Sequence, residues 1–456
     1  MMKKLLLGST ALVVGGAMTV PAMAAEPIKM GIGGYYTFYA MAGGIDSTYA
    51  FNGGVTAYKG FAFTQEGEIH FLGQTKLDNG TTVGLTVELE AWNPTAVIGY
   101  TYIDEAFLYA FGDWGRVELG ARDAATYRMY YGTPSALIGW GAIQHNHNWA
   151  NQAVLLNNKA YSRTMATTIT PTWQDLNRIN YFTPRFQGLQ IGIGYAPKLN
   201  GFGSQFNAAG IGTGPGNVNG LCGVTAPQNI NNCPTADYAW QDLIDIGANY
   251  LNKFGDLTVA LYGAFAYASF VPGYMPFTPA ANMVTGANLS SWKQWVVGAQ
   301  FGYAGFTVGG AIGWDNNGLG ANYFTGVDND TRFYTAGVMY ETGPWQMSFM
   351  WAGFYNTNGN GSASAAAIAP GTNAITTNIA SATGIPGVNS TAFNGNPATS
   401  LLFGSETINK WEVGVNYALG PGVKMVGGAM LYQASGPTNL VSGNSWVILL
   451  GMDLRF

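Results

Sequence analysis

Hydrophobic and polar positions alternate with a period of two along most of this chain. In 188–195 the apolar Leu189, Ile191, Ile193 and Tyr195 interleave with Gln190, Gly192 and Gly194, giving one greasy face and one polar face. A β-strand produces that division and a 3.6-residue helix does not. The same parity sets Val83, Leu85, Val87 and Leu89 against Thr82, Thr86, Glu88 and Glu90. It recurs in Phe306, Val308 and Ile312 against Thr307 and Asp315, and in Trp411, Val413, Val415 and Tyr417 against Lys410, Glu412 and Asn416. Leu257 to Met275 and Gln294 to Trp314 are uncharged and long enough to suggest membrane helices. The first, however, contains Pro272 and three tyrosines, the second contains six glycines, and both keep the two-residue period. Neither matches the Leu-rich profile that inserts as a helix.

The connections between these runs alternate in length. Short links marked by Gly, Asp and Pro fall at 77–80, 112–115, 184–188, 252–256, 303–306, 342–344 and 419–422. Long links are expected at roughly 41–59, 93–101, 122–175, 197–236, 270–290, 315–330, 356–406 and 434–443. Strands running up and down with tight turns on one side and long loops on the other give this rhythm, and counting the runs predicts an all-β chain of about sixteen strands. An even number lets the first and last strands pair. Closure matters because an open edge in lipid strands backbone groups at several kcal/mol each. No helix or second sheet is available to cover so many apolar faces, so lipid is the solvent they are expected to meet.

The last run, 444–456, puts Trp446, Ile448, Leu450, Met452, Leu454 and Phe456 on one face and Asp453 and Arg455 on the other. An Arg at the lipid midplane costs roughly 2–4 kcal/mol, which fixes the apolar face outward. Aromatic residues gather at the expected strand ends: Tyr303, Trp345, Tyr417 and Phe456 on the turn side, and Tyr195, Trp314, Trp411 and Trp446 on the loop side. They are expected to form two interfacial girdles.

Composition sharpens this picture. Only 9% of residues are charged, against roughly 25% in ordinary soluble domains, while 14% are aromatic and 65 are glycine. Lys3 and Lys4 precede an apolar run and the small-residue site Ala22-Met23-Ala24, so 1–24 reads as a cleavable export signal and 25–456 as the mature barrel. Without those lysines, 17 basic side chains face 24 acidic ones, a net of −7, and no nucleic-acid partner is expected. Cys222 and Cys233 share one Gly/Asn/Pro-rich loop. In an oxidising compartment a local disulfide is the natural reading, two free thiols being the alternative.

In Ile103-Asp104-Glu105-Ala106-Phe107-Leu108-Tyr109, in Gly115-Arg116-Val117-Glu118-Leu119-Gly120-Ala121-Arg122-Asp123 and in 181–190 (Tyr-Phe-Thr-Pro-Arg-Phe-Gln-Gly-Leu-Gln), the chain resembles the sixteen-stranded general diffusion porins of Gram-negative bacteria, most closely the alphaproteobacterial kind. The resemblance spans nearly the whole mature chain. It implies an outer-membrane location among lipid and lipopolysaccharide, a homotrimer, no cofactor, and recognition of Phe456 by barrel-assembly machinery. It also implies that the third outer loop, about 122–175, folds inward and narrows the pore. Many relatives carry carboxylates in that loop. This chain has no Asp or Glu from 124 to 174 and offers Arg128, Lys159, Arg163, His145 and His147 instead.

The wall supplies the opposite sign. Parity sends Glu66, Glu68 and His70 inward on the second strand, Glu88 and Glu90 on the third, and Arg116, Glu118 and Arg122 on the fifth. Wall glutamates facing basic loop residues would set a transverse field at a constriction. The plainer alternative is that these charges keep the lumen wet. The pair His145-x-His147 lacks a visible third ligand, and no metal site is expected there. The reading is therefore a pore for passive diffusion of small hydrophilic solutes and ions. A substrate-selective, saturable channel is the alternative, and an enzymatic barrel ranks last for want of a Ser/His pair on the lipid side.

Overall fold

The computed structural model describes residues 27–51, 55–91, 103–137, 176–198, 240–270, 290–316, 330–358, 404–435 and 443–456. They form sixteen strands: β1 (Lys29–Phe51), β2 (Val55–Lys76), β3 (Thr82–Glu90), β4 (Ile103–Gly112), β5 (Gly115–Arg122), β6 (Leu176–Phe182), β7 (Leu189–Lys198) and β8 (Trp240–Phe254), then β9 (Leu257–Phe270), β10 (Trp292–Tyr303), β11 (Phe306–Asp315), β12 (Thr331–Thr342), β13 (Trp345–Asn358), β14 (Gly404–Gly420), β15 (Val423–Ser435) and β16 (Gly443–Arg455). One helical turn, α1 (Ala125–Arg128), follows β5. Among the described residues no helix is long and apolar enough to cross a membrane.

Each strand pairs antiparallel with its sequence neighbour, and β1 pairs with β16 to close the barrel. The seam runs from Tyr35↔Arg455 to Asp46↔Asn444, and the Phe456 N–H donates to the Gly34 carbonyl at 3.1 Å while the Gly34 N–H returns to Phe456 at 3.0 Å. With no free edge, every ladder finds its partner inside the sheet.

All seven short links predicted from Gly, Asp and Pro lie between paired strands, from the β2–β3 turn to the β14–β15 turn. One expected long link does not exist as drawn. Residues 41–59 were expected to form an outer loop, but β1 runs to Phe51 and β2 starts at Val55, with Ile45↔Tyr58 and Asp46↔Ala57 in register. The Gly/Ala/Thr-rich stretch carries little alternation, yet backbone pairing needs none, and the hairpin simply extends.

Side-chain parity follows the sequence. Ile448, Leu450 and Met452 face outward and Asp453 is buried inside, accepting from the Thr37 hydroxyl at 2.8 Å. At the turn-side rim the Trp345 and Tyr417 rings meet at 4.6 Å and the Phe306 and Tyr340 rings at 4.3 Å, with Tyr303 and Phe456 exposed beside them. The inner face is not polar throughout. Phe333, Met350 and Phe354 point inward and are buried, as are Val426, Met430 and Leu449. What they pack against is the segment after β5.

Candidate functional site

Residues 123–137 leave β5, turn through α1 and run along the inside of the wall. The Thr126 N–H donates to Asp245 Oδ1 on β8 at 2.9 Å, and Asp245 Oδ2 accepts from the buried Arg178 guanidinium of β6 at 3.0 Å. The Tyr262 hydroxyl donates to the Thr126 carbonyl at 2.7 Å and Asn249 Nδ2 to the Met129 carbonyl at 3.0 Å. Farther on, the Ala136 N–H donates to Ser348 Oγ at 2.8 Å, Asn416 donates to the Ala136 carbonyl, and the Ser135 hydroxyl donates to Glu412. Met129 packs with Phe182, Tyr262 and Val296, and Leu137 with Tyr39, Val426, Met430 and Leu449. These contacts account for the inward apolar residues: they face a lumenal segment, not open water.

The wall makes room for this segment with glycines. A Cβ at Gly298 of β10 would collide with the Tyr131 carbonyl oxygen; one at Gly309 of β11 would sit 2.5 Å from the Gly132 carbonyl oxygen. At Gly337 of β12 and Gly414 of β14 it would meet Thr133 Cγ2 at 2.6 Å and the Leu137 nitrogen at 2.7 Å. Four strands thus present bare backbone where the loop passes, and at Gly298, Gly309 and Gly414 the loop's main chain lies where a side chain would stand. Replacing Gly298 by Ala is expected to push the loop about 1 Å toward the lumen axis at a cost of roughly 1–3 kcal/mol of overpacking. Bilayer recording checks this: single-channel conductance should fall relative to the parent.

Across from these anchors lies a charged face built by β2 to β5. The i, i+2 spacing of Glu66, Glu68 and His70 puts all three on the inner side, and the register sets His70 opposite Glu88 and Glu68 opposite Glu90. His70 Nε2 lies 2.7 Å from Glu68 Oε2 and 4.0 Å from Glu88 Oε2. The Tyr35 hydroxyl donates to Glu68 at 2.9 Å and reaches Glu66 at 3.5 Å. Arg116 Nε lies 2.6 Å from the buried carboxylate of Glu118, and Arg128 of α1 bonds the same carboxylate. Arg122 pairs with Glu105 and approaches Glu88 at 3.9 Å and Glu118 at 3.8 Å. Aromatic rings hold the guanidiniums down: Tyr109 under Arg116 at 4.4 Å, Phe107 under Arg122 at 4.5 Å and Phe182 near Arg128 at 5.1 Å. Beyond the strands, burial pushes the Asp123 carboxyl up to about 6 against the downward pull of Arg122, Arg128 and Arg178.

Every wall residue named from parity is therefore in one cluster. Arg128 joins it directly, docked on Glu118 instead of standing across an opening from it. Lys159, Arg163, His145, His147, Cys222, Cys233 and the segment 1–24 lie outside the described residues. Sequence parity missed Asp104 and Glu105. Val87 pairs with Ala106 and Leu89 with Ile103, so Glu88 alone faces both acids, the pattern of a β-bulge. A bulge turns consecutive side chains to one face, and the adjacent acids in a lipid-spanning strand were the available signal.

A closed sixteen-stranded barrel with apolar residues outside and this charged face inside is a membrane barrel of the outer-membrane type. The model of the Gram-negative porin family matches residues 8–437, and the chain belongs to that family. It is a β-barrel protein of the Gram-negative outer membrane. An anion-selective porin from Comamonas acidovorans shares the fold, with a TM-score of 0.50 and 13% identity over 94% of this chain and all of that one. Uncharacterized proteins of Rickettsia felis and Rickettsia conorii are each 26% identical over 177 residues, or 37% of this chain. The chain spans about 40% of the length of these curated relatives.

Proposed function

We propose that this porin is a weakly selective pore through which small hydrophilic solutes and ions diffuse passively, with a preference for cations. The observation that carries the preference is the charge balance of the β2–β5 face. The carboxyl groups of Glu66, Glu68, Glu88, Glu90, Asp104, Glu105, Glu118 and Asp123 outnumber the guanidiniums of Arg116, Arg122 and Arg128 by five, with His70 among them, so the face is acidic on balance. A local potential worth about 1 kcal/mol concentrates a monovalent cation about fivefold. Planar-bilayer recording tests both parts. Current should rise in proportion to salt, sugars should not block it, and the reversal potential in a KCl gradient should carry the sign of cation preference. Saturation with block by one sugar would favour the solute-specific alternative.

The remaining assignments belong to the same proposal. Residues 1–24 direct export, Phe456 is the handle for assembly machinery at the seam, and lipopolysaccharide surrounds the loop-side rim. The barrel acts as a homotrimer and carries no catalytic activity. One outward face supports a subunit contact: on β1 and β2, Tyr36 donates to Gln65 at 2.6 Å beside Phe38, Phe61 and Phe63, whose rings lie 5.0–5.5 Å apart. A polar Gln side chain fits a protein neighbour better than hydrocarbon. Channel closure in three equal steps is the expected signature.

A further inference from the structure

We propose that Glu68, His70 and Glu88 form a binding site for a divalent transition-metal cation of the zinc class on the lumen wall. Their donor atoms, one per residue, all lie within 4.8 Å of one another. In a tetrahedral zinc site with bonds of about 2.0 Å, donors stand about 3.3 Å apart. The two spacings from His70 Nε2, 2.7 Å to Glu68 and 4.0 Å to Glu88, straddle that value. Small side-chain rotations suffice.

The histidine separates this group from an ordinary patch of acids. An imidazole nitrogen with two carboxylate oxygens suits zinc, nickel or copper, whereas magnesium and calcium take oxygen alone. The scaffold is two paired strands, with Glu68 and His70 two residues apart on one and Glu88 opposite His70 on the other. Tyr35 donates to Glu68 Oε1 at 2.9 Å, which leaves Oε2 turned to the imidazole. Arg122 approaches Oε1 of Glu88, so that the other oxygen faces His70. Glu68 therefore has a hydrogen-bonded outer partner that orients it, as metal ligands usually do, and Glu88 lies within ion-pair range of Arg122. Three protein ligands leave a coordination position open to lumen water or a passing anion.

The test is calorimetric titration of the purified full-length barrel in detergent with ZnCl2 and, separately, MgCl2. Zinc should bind once per chain and magnesium should not compete. His70→Ala should weaken zinc by more than about tenfold, the loss typical of removing even an outer partner of a metal ligand. The chain has three histidines, so the double variant His145→Ala, His147→Ala controls for loop binding and should retain the site. Heat-modifiable mobility on gels verifies that each variant is folded. Equal zinc affinity in the His70 variant, or equal binding of magnesium, overturns the proposal. The conduction readout is independent: a barrel that conducts but ignores zinc sinks the metal site alone, and one that binds zinc without conducting sinks the pore reading alone.

Discussion

Replacing Glu66, Glu68, Glu88 and Glu90 together by glutamine is expected to abolish most of the cation preference while leaving the barrel folded. The four substitutions reduce the carboxylate surplus on the β2–β5 face from five to one, since Glu105 and Glu118 are already matched by Arg122, Arg116 and Arg128. Glutamine keeps an acceptor oxygen for the Tyr35 hydroxyl, so the geometry around β1 is preserved. The cation-to-anion permeability ratio should fall several-fold toward that of the bulk ions, read from the reversal potential in a salt gradient. Added salt should shrink the parent's preference in the same direction, because the face is wet and screened. An unchanged ratio in the quadruple variant would remove these residues from the filter.

Replacing Asp245 by alanine should have the largest effect on stability. Its carboxylate is fully buried and holds two things at once, the Arg178 guanidinium and the Thr126 amide at the start of the lumenal segment. Removing one member of a buried ion pair costs roughly 3–5 kcal/mol, because the other charge stays desolvated. Heat-modification midpoints should drop, and single-channel conductance should become larger and noisier as the segment loses its first tie. The double variant Arg178→Met, Asp245→Leu separates the two roles. Stability should largely return, since an apolar pair of similar volume is often neutral, while conductance should stay elevated because nothing accepts from Thr126. A double variant as unstable as the single one would show that packing, not charge, governs the site.

The sequence made legible whatever depends on neighbours in the chain. Turns such as 303–306 and 419–422 advertise themselves through Gly and Pro, and alternation fixes which side chains of β3, β7, β11 and β16 look outward. The wall cluster followed from the same parity, from Glu66 on β2 to Arg122 on β5. Two things were hidden for physical reasons. Asp104 and Glu105 break parity through a bulge, which is a property of pairing and not of spacing. The first hairpin beyond Met41 is held by backbone ladders, on which side-chain pattern is silent. The seat of the lumenal segment was invisible for a third reason. Its contacts join residues more than a hundred positions apart, such as Asn249 with Met129 and Ala136 with Ser348. No local window contains both halves.

The row of bare glycines under that segment has a practical meaning for engineering. Where the wall meets the carbonyls of Tyr131 and Gly132 and the amide of Leu137, the fit depends on backbone and not on which side chains those residues carry. The path of the segment at residues 131 and 132 is therefore set by the wall's glycines, whereas Tyr130, whose ring meets buried Tyr262 at 5.3 Å, belongs to its seat.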